Sequence, residues 1–323
     1  MADDHYVAQT YLKHFAGPTG MLRAYRKSDG VSFPCKPEDI CREPNGDIIP
    51  DFLSEPEYLG EFRGAFEPLW NQSVAALEAH SGDMRDKLHI AGYWANLLVC
   101  TPTWRRVAIE ISNRRLAHTV RAYNELSAKI GKADPSWKKA IEAEERGDIK
   151  IETEADYVRA QAAQSIMRYT WGLYNAQWDV FQNDTSTPFV TSDNPASIED
   201  SGNDNWMLGV PYVRLLPVTP RFCLMCDLTT VPRHVIEAKP DFREIPIAGV
   251  RGDAICLETV EWINTCVAKC AEDLVITGGE SDYVRDLTST YSRFRVESEL
   301  TRFREPKGFL IASRTRVIER KST

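Results

Sequence analysis

Apolar residues recur at helical spacing through the first half of the chain and at strand-like spacing through much of the second. Val7, Ala8, Tyr11, Leu12 and Phe15 stand at i, i+3, i+4 intervals, which predicts a short helix over His5 to Phe15, ended by Gly17-Pro18. Leu22 to Phe33 reads as a β-hairpin, because Ser28-Asp29-Gly30 is turn chemistry between two strand-like runs. Residues 34–56 are rich in Pro, Asp and Gly and read as a connecting loop. Tyr58, Leu59, Phe62, Phe66, Leu69, Trp70, Val74 and Leu77 then repeat at helical spacing. Further helices are predicted over about 83–100 and 103–131, with a shorter charged one after Pro135.

Glu154 to Phe181 is expected to be the longest and most central helix. One apolar stripe runs through Val158, Ala162, Ser165, Tyr169 and Leu173, and a second through Trp171, Tyr174, Trp178 and Phe181. Past Asn183-Asp184-Thr185 the texture changes. Phe189-Val190-Thr191, Tyr212 to Val218 and Phe222 to Cys226 are β-like runs punctuated by proline, a helix follows at about 255–271, and Phe309 to Ile318 is strand-like again. These elements predict an α+β fold: a helix-rich N-terminal and central part, with a mixed or antiparallel sheet drawn mostly from the C-terminal half plus the early hairpin. The whole chain, 1–323, is read as one globular domain in which 1–182 is mainly helical and 183–323 mixed.

Composition narrows the setting. The 323 residues are 43% hydrophobic and 27% charged, fractions that suit a packed core. The net charge of -8 argues against a protein that coats nucleic acid by electrostatics alone, while leaving room for a local basic groove. The polar start, Met1-Ala2-Asp3-Asp4, lacks the pattern of a secretory signal, and no run approaches the ~18 consecutive apolar residues of a membrane span. A cytoplasmic protein without a membrane partner is expected, with its eight cysteines reduced and mainly in the core. Cys223 and Cys226 form a C-x-x-C on a predicted strand, where positions three apart face opposite ways and cannot share a metal. Cys266 and Cys270 share a helix face, but no second ligand pair accompanies them.

Two segments carry a family likeness: His5-Tyr6-Val7-Ala8-Gln9-Thr10-Tyr11-Leu12, and Phe189-Val190-Thr191-Ser192-Asp193-Asn194-Pro195 followed by Leu216-Pro217-Val218-Thr219-Pro220. Together with Asn264, they resemble the bacterial domain-of-unknown-function family 4238. Its members tend to open with His-Tyr-x-Pro-x-x-Tyr-Leu and to carry a Thr-Ser-Asp-x-Pro turn after a long helix. Ala8 stands where that pattern has proline, a difference that bears on the start of a helix and not on a reactive group. The resemblance places these motifs and brings no activity with it.

The residues themselves suggest chemistry. Asp193 and Asn194 sit in a turn at a strand end, where a carboxylate can act as general base or metal ligand; the same residue types also close Asx-turns by bonding their own backbone. Glu199, Asp200 and Asp204 follow and would enrich the spot for a divalent cation such as magnesium, or else form a solvated loop. His5 and Gln9, four apart, would lie side by side on a helix, the imidazole as proton shuttle and the amide as its orienter, or as structural hydrogen-bonding groups. Arg105, at the start of a helix, offers a planar fork for phosphate. Asp227 followed by Glu237-Ala238-Lys239 has the order of a magnesium nuclease core. No GxSxG, HExxH or phosphate-loop pattern occurs.

Two expectations follow. One is a hydrolase acting on a phosphate-containing substrate, a nucleic acid or nucleotide, with His5, Gln9, Asp193, Asn194 and Arg105 as its site. The other is a non-catalytic binding or interaction protein, in which the same residues tie the N-terminal segment to the central turn as a buried polar network.

Overall fold

The computed structural model describes residues 3–49, 54–129, 131, 135–149, 152–200, 213–231, 255–305 and 308–320. The fold is α+β, as the periodicities predict. The chain begins with β1 (Asp3–His5), α1 (Gln9–Leu12) and a 3-10 turn (Lys13–Phe15). It continues through β2 (Leu22–Arg26), β3 (Ser32–Cys35) and β4 (Arg42–Pro44). The expected helix over His5 to Phe15 therefore starts four residues late. His5 is held extended by pairing with Arg42, and this separates it from Gln9, the first residue of α1. The expected hairpin is present as β2 and β3, closed by Gly30 at φ +73°, a backbone that glycine adopts without strain.

The helical region runs through α2 (Tyr58–Phe66), a 3-10 turn (Glu67–Leu69), α3 (Trp70–Glu78), α4 (Met84–Val99), α5 (Pro102–Lys129), α6 (Pro135–Glu145) and α7 (Ala155–Asn175). Pro68 explains the break between α2 and α3, since a proline in mid-helix removes a backbone donor. Asp83 and Asp86 cap α4 reciprocally, Asp83 accepting from the Asp86 N–H at 3.1 Å and Asp86 from the Asp83 N–H at 3.0 Å. The helix buried on every side is α4, whose residues from Ile90 to Val99 are all buried, and α7 packs along it. Helix α2 crosses it closely: a Cβ on Gly92 would fall 2.3 Å from the Phe66 ring. The expected central helix stops at Asn175, and Trp178 and Phe181 belong to a strand instead.

The remaining elements are β5 (Gln177–Gln182), β6 (Thr191–Ser192), β7 (Ser197–Glu199), β8 (Val213–Pro217), β9 (Phe222–Asp227), α8 (Leu257–Cys270), β10 (Leu274–Thr277), α9 (Asp282–Thr290), β11 (Phe294–Glu305) and β12 (Gly308–Glu319). One antiparallel sheet has the order β3-β2-β10-β6 and another β5-β9-β8-β7; β11 and β12 pair as a long hairpin, and β1 pairs with β4. On β9, Cys223 joins the cluster of Phe189, Leu215 and Ile263, while Cys226 joins the large core around α4, so the two thiols do face opposite ways. All eight cysteines are free. Among the described residues, no helix is long and apolar enough to cross a membrane.

The stretches that carry the family likeness meet at one phenol. The Tyr11 hydroxyl donates to the Pro217 carbonyl at 2.6 Å, and Thr191 Oγ1 lies 2.8 Å from the same oxygen. The phenol has a single proton, which goes to Pro217, so Thr191 is the donor in the second bond. Asn264 pins the same stretch as a strand neighbour would: its Oδ1 accepts from the Val190 N–H at 3.0 Å, and its Nδ2 donates to the Pro188 carbonyl at 3.0 Å.

Candidate functional site

A helix ends by leaving carbonyls without partners, and a buried end must find donors for them. Helix α8 ends inside the molecule, and Lys27, Asp193 and Asn194 resolve its last turn. Lys27 Nζ donates to the carbonyls of Ala268 and Ala271, both at 2.9 Å, placing a cation at the negative end of the helix. Asn194 Nδ2 donates to the Cys270 carbonyl at 2.8 Å, and its Oδ1 receives Thr101 Oγ1 at 3.4 Å. The Asp193 carboxylate accepts three backbone N–H groups in succession, from Glu272 at 2.9 Å, Asp273 at 2.8 Å and Leu274 at 2.9 Å. Burial pushes its carboxyl up to about 7 against the pull of these three donors, and burial lowers Lys27 to about 8. Asp193 is only 4% exposed. Its arrangement is that of a structural anion holding the path from α8 into β10.

The other residues picked out from the sequence are dispersed. Arg105 is engaged by Glu43 of β4, its Nη1 lying 2.8 Å from Glu43 Oε2. No hydrogen bond or ion pair joins His5 to Asp193 among the described residues, and His5 Nε2 is buried without a partner there. Beside His5, Tyr6 lies within the electrostatic reach of Asp193. Burial raises that phenol well above its ordinary range, and the charges of Cys41 and Asp193 add to the effect. Gln9 is half-buried at the start of α1. Asp200 accepts the Val317 N–H at 2.9 Å and pairs with Arg316 at 3.5 Å, so it serves to dock the C-terminal hairpin. Asp227 caps the short turn after β9, accepting from the Thr229 N–H at 2.9 Å. Asp204, Glu237 and Lys239 lie outside the described residues. No group of three His, Cys, Asp or Glu side chains placed to hold a metal occurs among the described residues.

Beside the α8 turn lies an open pocket of about 260 Å³. Its walls come from α5 (Trp104, Val107, Ile111, Arg115), α7 (Gln161, Tyr169), the segment from Asn194 to Ile198, β8 (Arg214) and the C-terminal hairpin. Asn194 is thus the one predicted site residue that lines it, and its amide is already committed to Cys270 and Thr101. The described lining contains two arginines and no Asp, Glu, His, Lys or Cys. In a chain of net charge -8, that local bias is the reverse of the average.

Arg214 dominates this pocket. It stands opposite Ile198 and Cys226 in the β7-β8-β9 ladder, on the face turned to the core, and is only 8% exposed. Its Nε is buried without a hydrogen-bond partner, and no carboxylate pairs with it among the described residues. Burial accordingly lowers its pKa from the ordinary arginine value. A guanidinium has five donors and a permanent charge, so this placement is costly unless something anionic enters the pocket. The sequence held the signal: Arg214 interrupts the apolar run Tyr212 to Val218 at a position flanked by Val213, Leu215 and Leu216. A lone charge in a strand that is otherwise apolar marks either an edge or a buried charge with a purpose.

No curated protein and no solved structure matches this chain. A family model described as "Protein of unknown function (DUF4238)" matches residues 4–281, a span holding the Tyr11 junction, the Asp193 turn and Arg214. The chain belongs to that family.

Proposed function

We propose that this chain is a binding protein for a small phosphate-bearing molecule, seated with its anionic group on Arg214. The observation that carries this reading is a buried arginine with no counter-ion among the described residues, lining an open pocket without acidic residues. Arginine's planar fork suits the oxygens of a phosphate, and the charge-assisted bonds formed in a half-dry pocket are among the strongest available to a side chain. The apolar half of the lining, with Trp104, Val107 and Ile111, offers a surface for an uncharged body such as a nucleobase. The pocket's modest volume favours a mononucleotide or something smaller over a nucleic-acid strand.

The binding reading is better supported than hydrolysis for two reasons. Asp193 directs its carboxylate at three backbone N–H groups, and the described pocket lining has no side chain of ordinary acid–base strength to move a proton. Thermal unfolding in the presence of sodium phosphate or adenosine 5′-monophosphate tests the proposal. A ligand at one hundred times its Kd stabilises the folded state by about 2.7 kcal/mol, so the melting temperature is expected to rise by roughly 5 °C. An equal rise with sodium chloride at matched ionic strength would sink the proposal. Release of phosphate from a nucleotide, abolished by Asp193→Asn in a variant that still folds, would restore the hydrolase reading.

A further inference from the structure

The floor and one wall of the pocket have different origins. Arg214, Tyr169 and Asn194 fall within the family match at 4–281, whereas Val296, Ser313 and Thr315 come from the β11–β12 hairpin beyond it. Ser313 and Thr315 are two apart on β12 and so share a face, the one turned to the pocket. The hairpin is fixed in place by α5. Arg106 Nε and Nη2 lie 2.8 Å from the two Glu272 carboxylate oxygens, and Nη2 also donates to the Val296 carbonyl at 2.7 Å. Glu272 is the residue whose N–H is held by Asp193, so one turn anchors both the pocket's back and its hairpin wall.

The arginines around this wall are otherwise matched with carboxylates. Arg106 meets Glu272, Arg114 meets Glu110, Arg295 meets Glu297, and Arg314 and Arg316 meet Glu299. Arg115 departs from this pattern. It lines the pocket from α5 and donates through Nη2 to the Ser313 hydroxyl at 2.6 Å, a neutral partner that orients the guanidinium without neutralising it. The pocket therefore has one cation on its β8 side and a second on its α5 side, where the hairpin steadies it.

We propose that Arg115, oriented by Ser313 on the hairpin, is a second anion contact, so that the pocket selects small molecules bearing two anionic groups over those bearing one. This rests on Arg214 being the first contact. Two linked charge contacts act on one molecule at high effective concentration, so a ligand that spans both gains far more than either contact supplies alone. An exposed guanidinium at the rim is a weak site by itself, and its effect appears only when the other end of the ligand is anchored.

Isothermal titration calorimetry with the full chain tests this, using inorganic phosphate and a series of probes that bear two anionic groups at increasing span: pyrophosphate, 3-phosphoglycerate and adenosine 3′,5′-bisphosphate. The best of these probes is expected to bind on the order of tenfold more tightly than phosphate. Arg115→Gln should erase that advantage, and Arg214→Gln should remove binding of phosphate and of the two-group probes alike. Ser313→Ala, which removes the hydroxyl that orients Arg115, should weaken the two-group probes more than phosphate. The inference fails if no probe with two anionic groups outbinds phosphate, or if Arg115→Gln leaves the preference intact; in either case phosphate binding lost in Arg214→Gln keeps the first reading. If neither phosphate nor any of these probes binds the native chain, the first reading fails as well.

Discussion

Arg214→Met is expected to raise the melting temperature of the ligand-free protein and to abolish its response to phosphate. These two effects seldom accompany each other, and together they separate a binding arginine from a structural one. A structural arginine holds partners, and losing it leaves them unsatisfied. Arg214 has no carboxylate partner among the described residues, its Nε is unsatisfied, and it stands between Ile198 and Cys226 on a core-facing strand surface. Replacing such a charge by an unbranched apolar side chain of similar length removes a desolvation cost and keeps most of the packing. Exchanges of buried ionic groups for apolar ones have stabilised proteins by about 1–4 kcal/mol, and a gain in that range would appear here as a rise of several degrees. A lower melting temperature together with unchanged phosphate binding would show that Arg214 is part of the architecture. Placing a destabilised group where function needs it is the usual cost of a preformed site.

Asp193→Ala is expected to have the opposite signature: a large loss of stability, with phosphate binding retained wherever the protein remains folded. Truncation orphans three buried N–H groups at once, those of Glu272, Asp273 and Leu274. Each buried donor left without a partner costs about 1–3 kcal/mol, and with some relaxation the total should reach about 3–5 kcal/mol, enough to threaten folding at physiological temperature. The damage should spread to the hairpin, because Glu272 also carries the Arg106 contact. Asp193→Asn keeps one acceptor oxygen and should lose less. Urea unfolding of the two variants beside the native chain measures this order. A fully stable Asp193→Ala protein would mean that the carboxylate is retained for chemistry and not for the turn.

The α+β class was legible because long amphipathic periods and proline-punctuated β runs are robust signals, and the elements from α2 to α6 lie close to where the apolar spacing puts them. The errors came from elements too short to have a period. Strand β4 is three residues long and lies in a stretch read as loop, so nothing announced that it would hold His5 extended and delay α1. The end of α7 was hidden for a different reason. Trp171, Tyr174, Trp178 and Phe181 keep helical spacing across Asn175–Gln177, yet Ala176 takes an extended backbone without any glycine or proline to mark it. Spacing alone cannot tell a helix face from a helix followed by a strand with buried alternate positions.

The sequence directed attention to the N-terminal segment and the Thr191–Pro195 turn, and within them to His5 and Asp193. The Thr191–Pro195 turn and the N-terminal segment meet through Tyr11 on Thr191, whereas the candidate imidazole was His5. Titratable groups were favoured because catalysis needs them. Arg214 drew no attention because a single charge within a strand has no motif and, unlike Arg105, does not stand at the start of a helix. What marks it is the lack of a partner, which only the three-dimensional neighbourhood can reveal.

The most direct measurement is a crystal structure of the native chain grown or soaked with selenate, a tetrahedral oxyanion whose anomalous scattering marks its position without ambiguity. The account predicts an anomalous peak within hydrogen-bond reach of the Arg214 guanidinium, inside the pocket walled by α5, α7 and the hairpin. An empty pocket with Arg214 paired to a carboxylate of its own chain would contradict it.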